Sequence, residues 1–446
     1  MMSNRYFKLL VSITMLFAVG TLVSCGASGV GAIPSGTPSL GNGTLAVIPS
    51  PSPTKQSIPP ASPAALSGTY AFVRNNQLWL ALHGAKPAQA TSFDYSNLPD
   101  VSWHQPLWSP GDGSVAFIMN ARPVGEGGGG CPAPDYGANG ALYILNASTM
   151  QSTQVMVPAD KSDPLASSPH NGYWQYMFWQ DATHLLAWYN GVVGKTSNTA
   201  GLYRYDTGKH ILSQVISLAQ LGVSTLFNAQ QNAPLMLSMR YSSGQLYYQV
   251  VAHPFTQQSQ LTIYRHVVDQ PALASVKVLD MGSEAWCGSQ QSNTFTNPGW
   301  DVSLDGQQLA AQMVQTGNAN APTSSIETLN MPDNTTTGLL AQLPPAMLAH
   351  DLVLTWGPDS QSLVASEAHL LSHDGPYSAT LANPAMTQAY APGAAGLAAW
   401  KTDSSAFTLQ STDMSDVTGA GQIYLFNTGD TQGQLLLTNT RNFVWG

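Results

Sequence analysis

Glu367, His369, His373 and Asp374 are the chain's densest set of metal-capable side chains. Two imidazoles four residues apart meet one ion when a helix carries them, and a Glu between them would supply a base for bond hydrolysis. Here the pair follows a strand-like run, Leu363-Val364-Ala365, and the intervening Glu is missing. The expectation is therefore a polar loop, with no metal and no other cofactor. Six rings stand outside any repeat: Trp103, His104, Tyr136, Tyr173, Trp174 and Trp286. Gathered on a loop surface they would suit a glycan, peptide or protein ligand; the competing reading is that they cover their own loops. Cys131 and Cys287 are thiols available for a disulfide, while Cys25 has different surroundings.

Signatures of nucleophilic or phosphate chemistry are missing from the sequence. No Gly-x-Ser-x-Gly turn exposes a serine, and there is no Gly-rich phosphate loop, nucleotide fingerprint or EF-hand loop. Ser303-Leu304-Asp305-Gly306 misses a Ser-x-Asp-x-Gly box by one residue.

The N-terminus addresses the chain outward. Arg5 and Lys8 precede an apolar run from Leu9 to Val19, the charged and apolar regions of a secretory signal, too short to span a membrane. It ends at Leu22-Val23-Ser24-Cys25-Gly26, which resembles the bacterial lipobox. The resemblance implies a signal peptide over 1–24, removal before Cys25, and a lipidated (palmitate-type) Cys25 holding the protein on the extracytoplasmic face of the cell membrane. A pair of acyl chains anchors stably where one would be marginal. Residues 25–66, rich in Gly, Ser, Thr, Ala and Pro with the run Pro49-Ser50-Pro51-Ser52-Pro53, cannot bury enough apolar surface to order themselves and read as a tether.

After cleavage 13 basic residues face 24 acidic ones, a net charge of −11, which excludes the basic field that nucleic acid requires. Charged residues make up only 9% of the chain, so Ser, Thr, Asn and Gln must wet the surface. Few titratable groups also limit charge repulsion as pH changes, consistent with an acidic habitat. In an oxidising compartment Cys131 and Cys287 are expected to pair, the alternative being two separate thiols.

Residues 67–446 carry a repeat. Leu107-Trp108-Ser109-Pro110-Gly111-Asp112-Gly113 leads into Ser114-Val115-Ala116-Phe117, and Thr355-Trp356-Gly357-Pro358-Asp359-Ser360 into Ser362-Leu363-Val364-Ala365. Degenerate copies begin at Trp179, Phe227, Val302 and Trp400. Each unit reads as an aromatic ending one strand, a Pro/Asp/Gly turn, and a short apolar strand. Further strands follow at Ala141–Leu145, Leu202–Tyr205 and Gln422–Phe426, the last two ending in polar turns. Four strands per unit, with units 44 to 75 residues apart, suit the blade of a β-propeller.

The units resemble the WD40-like (PD40-type) repeats of TolB-like propellers, although the turn at Trp108 carries one residue more than their Trp-Ser-Pro-Asp-Gly pattern. Asn442–Trp445 reads as a first strand lacking its successors, and Thr69–Arg74 with Gln77–Ala81 as second and third strands lacking a first. Joined, they complete one blade. The fold expected is all-β, a single β-propeller of seven four-stranded blades, with six as the alternative, closed by pairing N- and C-terminal strands in one blade. The second-to-third and between-blade connections then share one face, and both Ala121–Gly140, with Cys131, and Met281–Pro298, with Cys287, belong to it. Their disulfide would close a loop of 156 residues and add ~3 to 5 kcal/mol.

The function expected is a lipid-anchored, monomeric extracytoplasmic protein that binds a protein, peptide or envelope polymer on this loop face. The alternative is a propeller hydrolase or lyase, glycosidase- or lactonase-like, with acids or a metal at the channel mouth.

Overall fold

The computed structural model describes residues 66–94, 100–103, 105–122, 140–157, 174–191, 199–224, 234–253, 259–284, 299–315, 323–338, 352–367, 376–380, 387–389, 391, 393–411 and 421–446. Tight polar turns between apolar runs give antiparallel meanders throughout. The chain begins with β1 (Tyr70–Arg74), β2 (Gln77–Ala81) and β3 (Ala88–Gln89). A sheet follows of β4 (Asp100–Trp103), β5 (Leu107–Trp108), β6 (Ser114–Arg122), β7 (Ala141–Asn146) and β8 (Gln151–Val155), with β4 and β5 both paired to β6.

Four four-stranded sheets come next, each in sequence order. They are β9 (Trp174–Trp179), β10 (His184–Tyr189), β11 (Gly201–Asp206), β12 (Ile211–Ser217); β13 (Leu235–Ser242), β14 (Gln245–Ala252), β15 (Ser259–Val267), β16 (Val276–Glu284); β17 (Trp300–Val302), β18 (Gln308–Gln315), β19 (Thr323–Asn330), β20 (Thr335–Gly338); and β21 (Leu352–Trp356), β22 (Ser362–Glu367), β23 (Tyr377–Thr380), β24 (Thr387–Gln388). A one-turn helix, α1 (Leu218–Leu221), follows β12. Finally β25 (Ala394–Trp400), β26 (Ala406–Ser411), β27 (Gly421–Asn427) and β28 (Gln434–Trp445) run on in one path into β1, β2 and β3. The first part of β28 pairs with β27 and its last residues with β1, Trp445 opposite Tyr70. Left-handed Asn439 and Asn442 turn the strand between these two duties.

Four of the repeat turns share one hydrogen-bond pattern. The residue after the aromatic position donates its N–H across the turn and accepts one from three residues on: Ser109 to Ser114 and from Asp112, Ser303 to Gln308 and from Gly306, Gly357 to Ser362 and from Ser360, Lys401 to Ala406 and from Ser404. Asp112, Gly306, Ser360 and Ser404 are all left-handed, which explains the Asp, Gly and Ser found there. The turn at Trp108 is therefore the same length as that at Trp356, and the apparent extra residue distorts nothing. One unit departs from expectation. Leu235–Leu237 belongs to a first strand, and the hairpin turns at left-handed Ser243-Gly244 after Tyr241, not after Phe227, which lies outside the described residues. A Tyr replaces the Trp there, and a two-residue turn replaces the longer one.

Every sheet buries both faces against a neighbour. Ala71, Val73 and Leu78 pack with Trp108, Val115 and Phe117; Ile118 and Leu142 with Leu185 and Ala187; Leu186 and Trp188 with Met236 and Met239. Leu237 and Tyr247 meet Trp300 and Leu309; Ala310 and Ile326 meet Leu354 and Trp356; Val364 meets Trp400 and Phe407; Ala399 and Ile423 meet Phe72 and Trp445.

Two polar seams fix these packings. In the lower one, near the turns, an indole N–H donates to the carbonyl just before the equivalent aromatic of the preceding sheet: Trp179 to Leu107 at 3.0 Å, Trp356 to Asp301 at 3.3 Å, Trp400 to Thr355 at 3.4 Å. The upper seam uses the third residue after the one opposite the aromatic. Gln312 Oε1 accepts from Gly299 N and from Leu352 N of the next sheet, both at 3.1 Å; Ser366 Oγ donates to Gly396 O; Gln410 Oε1 accepts from Asn442 N at 2.9 Å; Gln249 Oε1 accepts from Ser238 Oγ, itself the acceptor for the Trp300 indole. Gly299 is part of this geometry, since a Cβ there would stand 2.1 Å from Leu352 O. Gly299→Ala is expected to lower the stability read from a urea midpoint by ~1 to 3 kcal/mol, as overpacking does. Gly113→Ala, into open space, should leave the midpoint unchanged.

Candidate functional site

The described residues include three of the side chains singled out by sequence. Trp103 ends β4, is 7% exposed, and stacks on Phe117 with ring centroids 5.3 Å apart. Trp174 opens β9, is fully buried, and leans on Tyr189 at 5.6 Å and Tyr203 at 5.8 Å. Both belong to the packing between sheets, which corrects their assignment to loops: the first strands extend beyond the repeat pattern, and these indoles fill the added length. Glu367 ends β22 opposite Leu352 and is 2% exposed, so it belongs to a strand and not to a polar loop. Cys25, His104, Cys131, Tyr136, Tyr173, Trp286, Cys287, His369, His373 and Asp374 lie outside the described residues.

Sequence reasoning missed a charge pair on the first strands. Arg240 of β13 and Asp301 of β17 occupy the same register, immediately before the aromatic position, as Leu107, Phe178, Thr355, Ala399 and Val444 do in the other sheets. Arg240 Nε donates to Asp301 Oδ1 at 3.2 Å and its Nη1 to Met239 O at 2.9 Å, while the guanidinium lies 5.4 Å from the centre of the Trp300 ring. Asp301 Oδ2 accepts the N–H of Trp356 at 2.8 Å. One carboxylate thus joins three consecutive sheets.

Burial pushes the Asp301 carboxyl up, against the pull of Arg240 and of the N–H groups of Trp356 and Val302. Both of its oxygens are engaged, Oδ1 by Arg240 and Oδ2 by the N–H of Trp356. Arg240 has no further acceptor for Nη2 among the described residues, so that edge can take a carbonyl or carboxylate from a ligand. The signal that could have found the pair was two charges inside apolar first strands of a chain that is only 9% charged.

A second charged group, on exposed turns, serves the fold. His184 Nδ1 lies 2.8 Å from Asp181 Oδ2, and Lys209 Nζ is 2.9 Å from Asp206 Oδ2. Slight burial pushes Asp181 up, but the N–H groups of Thr183 and His184 and their side chains hold it down at about 2. Lys209 first, then turn N–H groups, hold Asp206 below the usual carboxylate range.

No family model matches this chain, and no curated protein matches it. The solved structures it resembles are TolB and other propeller proteins. TolB from Acinetobacter baumannii is 13% identical, with 85% of this chain and 67% of that one covered and a TM-score of 0.39. The β-propeller domain of the trilobed protease from Pyrococcus furiosus is 8% identical, with 84% and 96% covered and a TM-score of 0.46. Prolyl oligopeptidase B from Galerina marginata is 13% identical over 82% of this chain, with a TM-score of 0.45. The chain spans about half of that peptidase, 48% of its length.

Two outcomes follow from these charges. Arg240→Met, which leaves the largely buried Asp301 carboxylate without its cation, should cost ~1 to 3 kcal/mol in denaturant unfolding, and adding Asp301→Asn should restore part of it. By NMR the Asp181 carboxyl should titrate near 2. Because its folded value lies below its unfolded one, its contribution to stability is complete above the ordinary carboxylate pKa, ~3.9, and disappears as pH falls toward the folded value.

Proposed function

We propose that this chain is a lipid-anchored extracytoplasmic binding protein, built on a seven-bladed β-propeller whose long-connection face meets a protein, peptide or envelope polymer. The observation that carries the reading is the cyclic order of the packing clusters. Each joins one sheet to the next in sequence, and the cluster of Ala71, Val73, Trp108 and Phe117 joins β1 and β2 to the sheet of β4–β8. With the first part of β28 paired to β27 and its last residues to β1, the strands group into seven units of four, the end of β28 with β1, β2 and β3 forming the closing blade. Such closure gives β1 a partner on its outer side and leaves the remaining first-strand edges short and protected.

In a four-stranded meander the first and third turns lie at one end, and the connections after the second and fourth strands at the other. Tyr136 belongs to such a connection, after β6, as do Tyr173, after β8, and Trp286, after β16. Cys131 and Cys287 also lie in two of them, which supports their pairing. Arg240, whose first strand is innermost in a propeller, would offer its free edge to an acidic or carbonyl group of a ligand entering the channel. The Leu22–Gly26 motif supports lipidation at Cys25, and the tether behind it would hold the disc off the membrane.

Radioactive palmitate should label the wild type and not Cys25→Ala; equal labelling would overturn the anchor. Mass spectrometry without reductant should recover a peptide linking Cys131 to Cys287, and two free thiols there would refute the pairing. A variant with Tyr136, Tyr173 and Trp286 changed to Ala should lose partners that the wild type retains from host membranes. Identical recovery by both proteins would sink the loop-face reading.

A further inference from the structure

The outer half of the β13–β16 sheet contains an imidazole with one nitrogen satisfied and one stranded. His266 of β15 is 1% exposed. Its Nδ1 lies 3.1 Å from Ser275 Oγ, at the entry to β16, and its Nε2 is buried with no partner among the described residues. Ser275 also acts on Tyr248 of β14, whose phenol burial pushes up to about 12 against the pull of that hydroxyl. The hydroxyl therefore ties the segment between β15 and β16 to the imidazole of β15. The rest of the segment is held at its beginning and middle: Val268 N donates to Gly244 O at 3.1 Å, Gln220 Nε2 of α1 donates to Pro271 O at 3.3 Å, and Asp269 pairs with Arg204 of β11. Leu273 and Val276 stand about half exposed on it, at 51% and 52%.

We infer that His266 is an acid-operated latch, whose protonation releases Ser275, the turn before it and the first residues of β16 from the sheet. An imidazolium carries two N–H donors and no acceptor. Ser275 Oγ can receive one of them, but Nε2 has nothing to donate to, and an unpaired charge in apolar surroundings is costly. The closed form therefore resists the proton, in line with the downward push of burial on this imidazole. Once the segment lifts, water reaches the ring and it titrates near its ordinary value, ~6.5.

The direction is fixed by linkage. The closed form has the lower affinity for protons, so its advantage is complete above about 6.5 and declines as pH falls below that value. If the closed form takes up no proton, the open fraction rises roughly 30-fold between pH 7.5 and 5. The other titratable and charged groups on β14 to β16 and in the segment are Tyr247 and Tyr248 on β14, Tyr264 and Arg265 on β15, Lys277, paired with Asp280, and Glu284 on β16, and Asp269, paired with Arg204 of β11. His253 stands just beyond the far end of β14, seven residues past the partner of His266. Near the latch, His266 alone has an ordinary pKa in this window.

Hydrogen exchange of the amides in 268–280, corrected for the intrinsic effect of pH, reads the opening directly. The wild type should open roughly 30-fold more at pH 5 than at pH 7.5, and His266→Gln, which is neutral throughout, should change less than about twofold. A flat wild-type profile, or the same slope in His266→Gln, would overturn the latch. Should that variant fail to fold, the imidazole resonances of the wild type decide: a ring titrating near 6.5 with unchanged exchange refutes the proposal, and one that protonates only as exchange rises supports it.

Discussion

Face-to-face packing of successive sheets is the interaction on which everything else in this molecule depends. A four-stranded sheet with two apolar faces is insoluble alone, and each face here finds the next sheet in sequence. Hydrophobic burial does not set direction or register. The seams do. An indole N–H reaching the carbonyl before the aromatic position of the preceding sheet fixes height at the turn end, and buried amides such as Gln312 and Gln410 fix it at the other. Gly299 belongs to the same device, because only a residue without Cβ lets β17 approach the carbonyl of Leu352.

The turn end and the opposite end divide the chain's polar chemistry. Aspartates at the turns spend their oxygens on local N–H groups: Asp181 on Thr183 and His184, Asp359 on Gln361 and Ser362, Asp403 on Ser405. Such carboxylates shape loops and have little left for a ligand. Arg240 differs, since the partners that hold it, Asp301 and Met239, leave one edge of the guanidinium without an acceptor among the described residues.

Much of the sheet organisation was legible in the sequence because the turns after Trp108, Val302, Trp356 and Trp400 each take a left-handed residue, and Asp112, Gly306, Ser360 and Ser404 provide it. The unit containing Tyr241 was misplaced because a Ser-Gly hairpin meets the same need in two residues, with no Pro or Asp to announce it. Trp103 and Trp174 misled for a related reason: local composition marks where a turn sits, while the reach of a strand past the repeat depends on a neighbouring sheet distant in sequence. The upper seam left a faint trace, glutamine within otherwise apolar strands at Gln249, Gln312 and Gln410. The pairing of Arg240 with Asp301, 61 residues apart, left only two charges within apolar first strands, because the partnership itself arises from register between sheets.

The division of β28 between β27 and β1 also governs the order in which the molecule can assemble. Arg74 reaches the carbonyl of Thr438, 364 residues later, so β1 and β2 are made early and wait for a partner made much later. Until then their hairpin presents an unpaired edge, a hazard for any chain that lingers half-made. Contacts of such long separation are formed late and at high entropic cost. The intervening sheets can dock one upon another as they emerge, and the last step joins the oldest strand to the newest.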